Sequence, residues 1–188
     1  MISYKNLDDS LNFYNNLGYV RIETPWLVPE CIDNITKPKD KKSYKLEHNQ
    51  KCLVASGEQS FLYLYLKDFL PKGKFQTITP CFRDERYDMI HGKYFMKNEL
   101  IITDETNSLT LAKIVDDALK FFKTKIVSNL LDVVETKEGF DIVYINGDNE
   151  IELGSYGIRE CEFIKWVYGT GCPEPRLSNL TNNYYGNM

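Results

Sequence analysis

The sequence predicts an α+β protein built on a mainly antiparallel sheet. Three observations carry this: strand-like segments outnumber helical ones, they follow one another as hairpins, and the chain has the length of one domain, 188 residues. A chain of this size buries roughly 70% of its unfolded surface, so a full core needs no covalent staples.

The elements follow in order. Leu7, Leu11 and Tyr14 recur at helical spacing, which predicts a helix over residues 3–16 stopped by Gly18. Tyr19 to Glu23 alternates as a strand, and Pro25 forces an extended exit. Residues 30–50 are polar and charged and read as an exposed loop or ribbon. Leu53 to Ala55 reads as a short strand. Glu58 to Phe69 reads as a helix with Phe61, Leu62, Tyr65 and Phe69 on one side, ended by Pro71 and Gly73. Phe75 to Phe82 and Tyr94 to Thr103 are aromatic and β-branched, so they form a hairpin around a charged loop, residues 83–93. The longest helix is expected over 107–127, with a stripe of Leu111, Ile114, Val115, Ala118, Phe122 and Ile126 and a cap within Thr106 to Ser108. Leu131 to Glu135, Phe140 to Ile145 and Glu150 to Gly154 are further strands, joined by turns at Lys137-Glu138-Gly139 and Asn146-Gly147. From Gly169 onward the sequence predicts a glycine turn running into a short helix.

Bulk composition narrows the function. The chain is 43% hydrophobic and 27% charged, with a net charge of −4. Its pI near 5.3 argues against a large nucleic-acid footprint, because phosphate binding needs clustered cations. The 23 Lys and Arg residues are scattered except between Lys37 and Lys45. Five cysteines form no C-x-x-C pair, which fits free thiols in a reducing compartment. The N-terminus lacks a signal peptide's apolar run, and no segment reaches the ~20 apolar residues that span a bilayer. A cytoplasmic protein without membrane partners is expected.

Several residues have the chemistry of a nucleotide site. Arg83 ends a strand and projects into the hairpin mouth, where a forked guanidinium can bridge an α-phosphate and a carboxylate. Glu85 shares its parity and can accept from an adenine amino group or orient the arginine. Phe95, on the return strand, offers a flat face to a purine. Read alone, the same residues also describe a surface hairpin with an Arg–Glu pair and a core phenylalanine. His91 lies in the loop that would cover phosphates and can donate to one. Glu150 and Glu152 share a strand face and, with Asp141, could hold Mg²⁺; an exposed acidic edge strand reads the same way. Gly154 and Gly157 would admit a ligand close to the backbone. Arg159 could clamp a carboxylate. Arg176 follows the glycines of residues 169–171, which leave room for a ligand, and a plain Gly/Pro turn is the alternative. No P-loop, Rossmann fingerprint or G-x-S-x-G elbow occurs.

Taken in order, these segments resemble the three signature motifs of class II aminoacyl-tRNA synthetases. Gly18 through Pro29 resembles motif 1, a helix and strand ending on a proline. Phe82-Arg83-Asp84-Glu85 with His91 and Phe95 resembles motif 2. Gly169-Thr170-Gly171 through Arg176-Leu177 keeps motif 3 spacing, with Pro173 where a third glycine is usual. Leu53 to Gln59 resembles the loop that often binds the substrate's α-amino group. The His91, Phe95 and Glu99 spacing is similar to the aspartyl, asparaginyl and lysyl group. Glu152-Leu153-Gly154-Ser155-Tyr156-Gly157-Ile158-Arg159 is similar to aspartyl and asparaginyl enzymes and to the ammonia-dependent asparagine synthetase.

The resemblance implies a six-stranded antiparallel sheet flanked by helices, in a single catalytic domain over 1–188 with no anticodon-binding domain. It implies a homodimer through residues 17–30. It implies an ATP- and Mg²⁺-dependent ligase that converts an amino-acid carboxylate to an acyl adenylate. Arg83 and Arg176 would be catalytic, and Arg83, Glu85, His91, Phe95, Glu152 and Arg176 would bind ATP. Glu58, Arg159 and Ser155 would bind the amino acid, and Glu152, Glu150 and Asp141 the metal. The acyl acceptor is left open between tRNA, ammonia, a small amine and a protein; acidity and the missing anticodon domain make tRNA the weaker expectation. A catalytically silent ATP- or RNA-binding paralogue is the alternative.

Overall fold

The computed structural model describes residues 1–84, 93–147 and 149–185. The chain opens with α1 (Tyr4–Asn16), β1 (Val20–Arg21), β2 (Leu27–Pro29), α2 (Glu30–Thr36) and β3 (Lys51–Leu53). Then come α3 (Gly57–Leu66) and the hairpin β4 (Lys74–Phe82) and β5 (Tyr94–Ile102). The long helix α4 (Ser108–Lys123) precedes β6 (Leu131–Glu135), β7 (Gly139–Asn146), β8 (Asn149–Cys161), β9 (Ile164–Glu174) and α5 (Arg176–Tyr185).

Among the described residues the main sheet has seven strands, in the order β1-β4-β5-β9-β8-β7-β6. The six from β4 to β6 are antiparallel to their neighbours, as expected. The seventh, β1, lies parallel to β4 at the edge, pairing Val20 with Phe75. It is shorter than the strand expected over Tyr19 to Glu23.

Strand periodicity divides the side chains between two faces. One face presents Leu100, Ile102, Ile142, Tyr144 and Val167 to α1, α4 and α5, which cover it with Leu7, Tyr14, Ile114, Phe121, Phe122 and Leu177. A buried polar network fixes α1 to this face. Gln76 donates to the carbonyl of Leu11, and Asn98 donates to Ser10 Oγ and Gln76 Oε1. The opposite face packs Phe75, Ile101 and Trp166 against Val28, Ile32, Phe61 and Leu62 from the α2–α3 side. That cover stops short of the sheet's full width, and a cleft occupies the remainder.

Four expectations are corrected. Residues 30–36 form α2, because Ile32 and Ile35 share a face that packs into the second core. Helix α3 ends at Leu66, with Asp68 at φ 57, so Phe69 falls beyond it and is 76% exposed. Strand β8 runs on from the expected segment to Cys161. Residues 169–174 are not a turn but the end of β9, the strand between β5 and β8. The glycines there and in β8 make room for protein rather than ligand. A Cβ at Gly169 would stand 2.6 Å from the Tyr156 ring, and one at Gly157 would stand 2.5 Å from the Glu138 carbonyl oxygen.

Candidate active site

The cleft is built from the strand face that alternates with the sealed core. On β4 the parity of Thr77, Thr79 and Cys81 carries on to Arg83, and on β5 the same face presents Phe95, Lys97 and Glu99. Cys81 pairs with Phe95, and Arg83 N–H donates to the Lys93 carbonyl at 3.0 Å, so the hairpin extends to the arginine. The Arg83 guanidinium lies 5.0 Å over the Phe95 ring, and its Nε donates to the Ala55 carbonyl at 3.3 Å. Arg83 and Phe95 therefore meet. In this state the cation occupies the ring face that the sequence reading assigns to adenine.

Helix α3 brings Glu58 to the cleft floor. Ser56 caps the helix by accepting from the Glu58 N–H at 3.3 Å. The Glu58 carboxylate is buried, and both oxygens are bonded: Oε1 accepts from Trp166 Nε1 at 2.6 Å and Oε2 from Arg159 at 2.7 Å. Burial raises its pKa above the ordinary range, Arg159 opposes that, and Glu99 adds to it. Arg159 also bonds Glu138 and stacks 4.1 Å over the Tyr168 ring, whose hydroxyl donates to Glu138 at 3.2 Å. Burial acts to lower the Arg159 pKa, and the carboxylates of Glu58 and Glu138 more than reverse it. The Tyr168 hydroxyl is pushed up to about 12 by burial. Beside this network lies a second buried pair, Lys97 and Glu99, at 2.8 Å.

Most of these groups border one cavity of about 300 Å³, whose lining does not include Phe95, Glu138 or Trp166. Its walls include Ser56, Glu58, Arg83, Lys97, Glu99, Glu152, Ser155, Arg159 and Tyr168. Five of the expected site residues thus share it: Arg83, Glu58, Glu152, Ser155 and Arg159. Arg176, at the start of α5, reaches it indirectly by donating to the Glu152 carbonyl at 2.6 Å and approaching its carboxylate at 3.5 Å. Glu85 and His91 lie outside the described residues.

The expected metal ligands do not form a ligand set. Among the described residues no group of three or more His, Cys, Asp or Glu side chains converges on one point. Glu152 borders the cavity with its carboxylate beside Arg176, Glu150 is exposed, and Asp141 is half-buried outside the cavity lining. Asp141 does keep one buried oxygen without a partner, and its pKa is raised by burial and by the Glu152 and Glu150 charges.

Sequence reasoning passed over several groups. Lys97 could have been found by extending the parity of Phe95, and Glu99, singled out for its spacing, was given no role in the site. Trp166 and Tyr168 come from a segment to which no element was assigned, and Glu138 was read only as a turn residue. The wall formed by residues 36–38 and 41–43 was read as solvated loop.

No family model matches the chain, and no curated protein matches it. Solved structures do match in fold. Pyrrolysyl-tRNA synthetase from Desulfitobacterium hafniense aligns with a TM-score of 0.72 at 18% identity, covering 96% of this chain and 69% of that one. Seryl-tRNA synthetase from Pyrococcus horikoshii complexed with ATP gives a TM-score of 0.73 at 14% identity, covering 91% and 48%. Cytoplasmic serine-tRNA ligase from Naegleria fowleri in complex with AMP gives 0.69 at 18% identity, covering 91% and 52%. The chain thus spans about half the length of these seryl enzymes. With the antiparallel sheet and its flanking helices, these alignments give the chain the fold of a class II aminoacyl-tRNA synthetase catalytic domain.

Proposed function

We propose that this protein activates an amino-acid carboxylate with ATP, forming an acyl adenylate and releasing pyrophosphate. One observation carries the reading: Arg83, Glu58, Glu152, Ser155 and Arg159, from segments far apart in sequence, border a single cavity. Two of the fold neighbours are complexes with ATP and AMP, which supports testing the same nucleotides here.

In this reading a substrate carboxylate oxygen attacks the α-phosphorus, the bond to the β-phosphate oxygen breaks, and pyrophosphate departs. Arg83 bridges the attacking carboxylate and the α-phosphate, stabilising charge through positioning rather than covalent chemistry. The guanidinium leaves the Phe95 ring as adenine stacks there. Arg176 exchanges Glu152 for the γ-phosphate and covers the base. Glu58 keeps spare lone pairs on both oxygens, enough to accept from an α-ammonium group. Arg159 and the Ser155 hydroxyl read the far end of the amino acid. The likeness of residues 152–159 to aspartyl and asparaginyl enzymes makes aspartate and asparagine the first substrates to test. Mg²⁺ enters with the nucleotide, and no step is assigned to it. The acyl acceptor is open between tRNA, ammonia, another small amine and a protein.

The same reading includes a homodimer through residues 17–30, where Val20 on the edge strand and Trp26 are both more than half exposed. Sedimentation at the mass of one chain would remove the dimer. The test of activation is ATP–pyrophosphate exchange with each of the twenty amino acids. Exchange is expected with one or two of them, and Arg83→Ala should lower it at least about 100-fold, the scale for losing one transition-state charge donor. Absence of exchange with every amino acid would end the adenylate reading.

A further inference from the structure

The cavity is lined by charges of both signs. Its floor carries two buried carboxylates, Glu58 and Glu99, each matched to a cation, Arg159 and Lys97. Its mouth is bordered by the strap that follows α2, whose Lys37, Lys41 and Lys42 line the same cavity as Arg83. The exposed part of the lining carries Lys41 and Lys42 together with the carboxylates of Asp84 and Glu152, so the strap supplies the concentration of positive charge there.

The strap is tied down. Asp33, in α2, is fully buried and holds the strap at both ends: its carboxylate pairs with Lys37 at 3.2 Å and accepts from Ser43 Oγ. Lys37 also donates to Ser43 Oγ at 2.9 Å. Gln59 joins this hub to the catalytic wall. Its Nε2 donates to Asp33 Oδ1 at 3.0 Å, and its Oε1 accepts from the Ala55 N–H at 2.8 Å. The Ala55 carbonyl in turn accepts from Arg83 Nε. The two ends of the strap and Arg83 are thus fixed to one frame before a ligand arrives. Such preorganisation lowers the ordering entropy of binding.

We propose that residues 37–43 form a polyphosphate-binding wall in which Lys41 and Lys42 hold the pyrophosphate end of the nucleotide opposite Arg83. The inference rests on the adenylate reading for its ligand and adds two residues to the site. It also sets the direction of binding, with phosphates at the rim and the ammonium group of the amino acid at the Glu58 floor.

The test is calorimetry on the full chain with inorganic pyrophosphate alone and, separately, AMP, comparing wild type with a Lys41→Ala/Lys42→Ala variant. Both lysines are exposed, so the variant should keep its fold, which a melting curve checks. The expected result is a loss of about tenfold or more in pyrophosphate affinity, the size of one or two charge-assisted contacts, with AMP affinity unchanged within about twofold. The loss should shrink as salt is raised. Unchanged pyrophosphate affinity, an equal loss for both ligands, or no pyrophosphate binding by wild type would each overturn the wall. AMP reports separately on the activation reading: strap-dependent pyrophosphate binding without AMP binding keeps the wall and removes the adenylate.

Discussion

Along β5, Leu100 and Ile102 enter the sealed core beneath α4, while Lys97, Glu99 and Ile101 alternate onto the other face. Along β9, Val167 goes to the first core, and Trp166 and Tyr168 to the cleft side. Adjacent residues of the same strands thus build two unlike environments. One is aromatic and aliphatic and closed by three helices. The other is half-covered and holds charges that are nearly all paired. Because side-chain direction has a period of two, a slip of one residue would exchange Glu99 with Leu100 and destroy both at once. The sealed face therefore does more than stabilise: the hydrophobic pattern that seats it also fixes the register that aims the cleft's charges. In the β5–β9 pairing the irregularity falls on β9, where Gly171 is left between the partners of Asn98 and Glu99, so β5 keeps its alternation.

The largest effect that would test this division is on the sealed side. Phe122 is fully buried against the sheet. Phe122→Ala should cost about 3–5 kcal/mol of unfolding free energy, measured in denaturant titrations, since the cavity left behind adds to the lost burial. Arg83→Ala, on the half-covered face, should shift stability by less than about 1 kcal/mol while lowering exchange at least about 100-fold. If the arginine variant were the less stable of the two, the cleft would be part of the folding core and the comparison would fail.

What the sequence disclosed follows the same division. Repetition is easy to read, so the stripes of α1 and α4 were legible, as was the hairpin whose two strands bring Arg83 and Phe95 to its mouth. The hairpin turns at residues 137–139 and 146–147 were legible from their glycines. Helix α2 was hidden because it is short and its inward-facing Asp33 reads as surface charge; only the strap and Gln59 make that carboxylate buried and useful. The end of β9 was hidden because Gly169, Gly171 and Pro173 carry turn chemistry. In the fold the two glycines admit the Tyr156 and Tyr14 rings, which come from distant segments. The Glu58–Arg159–Glu138 network has no local signal, since strand pairing across β7, β8 and β9 assembles it.

A smaller effect tests whether the cleft's charges are held at a cost to the fold. Burial raises the Glu58 pKa above its ordinary 4.5, so the folded chain binds that proton more tightly than the unfolded chain. This contribution is greatest below pH 4.5 and is lost as pH climbs from there through the raised folded value. Asp9 and Glu138, whose pKa values are lowered by hydrogen bonds from Lys125 and Arg159, act with the opposite sign, losing stability as pH falls. The informative quantity is thus the stability of wild type minus that of Glu58→Gln. It should decline with rising pH across that window and level off once Glu58 is ionised. A difference that stayed flat or rose would mean that Arg159 fully compensates the buried charge.

The finest comparison is between two helix caps of equal chemistry on opposite faces. Asn107 caps α4 by accepting from the Thr110 N–H at 2.9 Å, and Ser56 caps α3 by accepting from the Glu58 N–H at 3.3 Å. Replacing either by alanine orphans one backbone donor and should cost about 1 kcal/mol, or roughly 2–4 °C of melting temperature for a domain of this size. Stability alone will not distinguish them. Ser56, however, borders the cavity, and the turn it caps carries Glu58, whereas Asn107 starts a helix whose buried residues face only the sealed core. Ser56→Ala should therefore raise the KM for the amino acid in the exchange assay severalfold, with kcat less affected, because the loosened first turn of α3 misplaces the group assigned to the α-ammonium. Asn107→Ala should leave both constants unchanged at temperatures well below its melting point. Equal kinetic effects from the two caps would show that the first turn of α3 does not position the substrate, and Glu58 would then revert to a structural partner of Trp166 and Arg159.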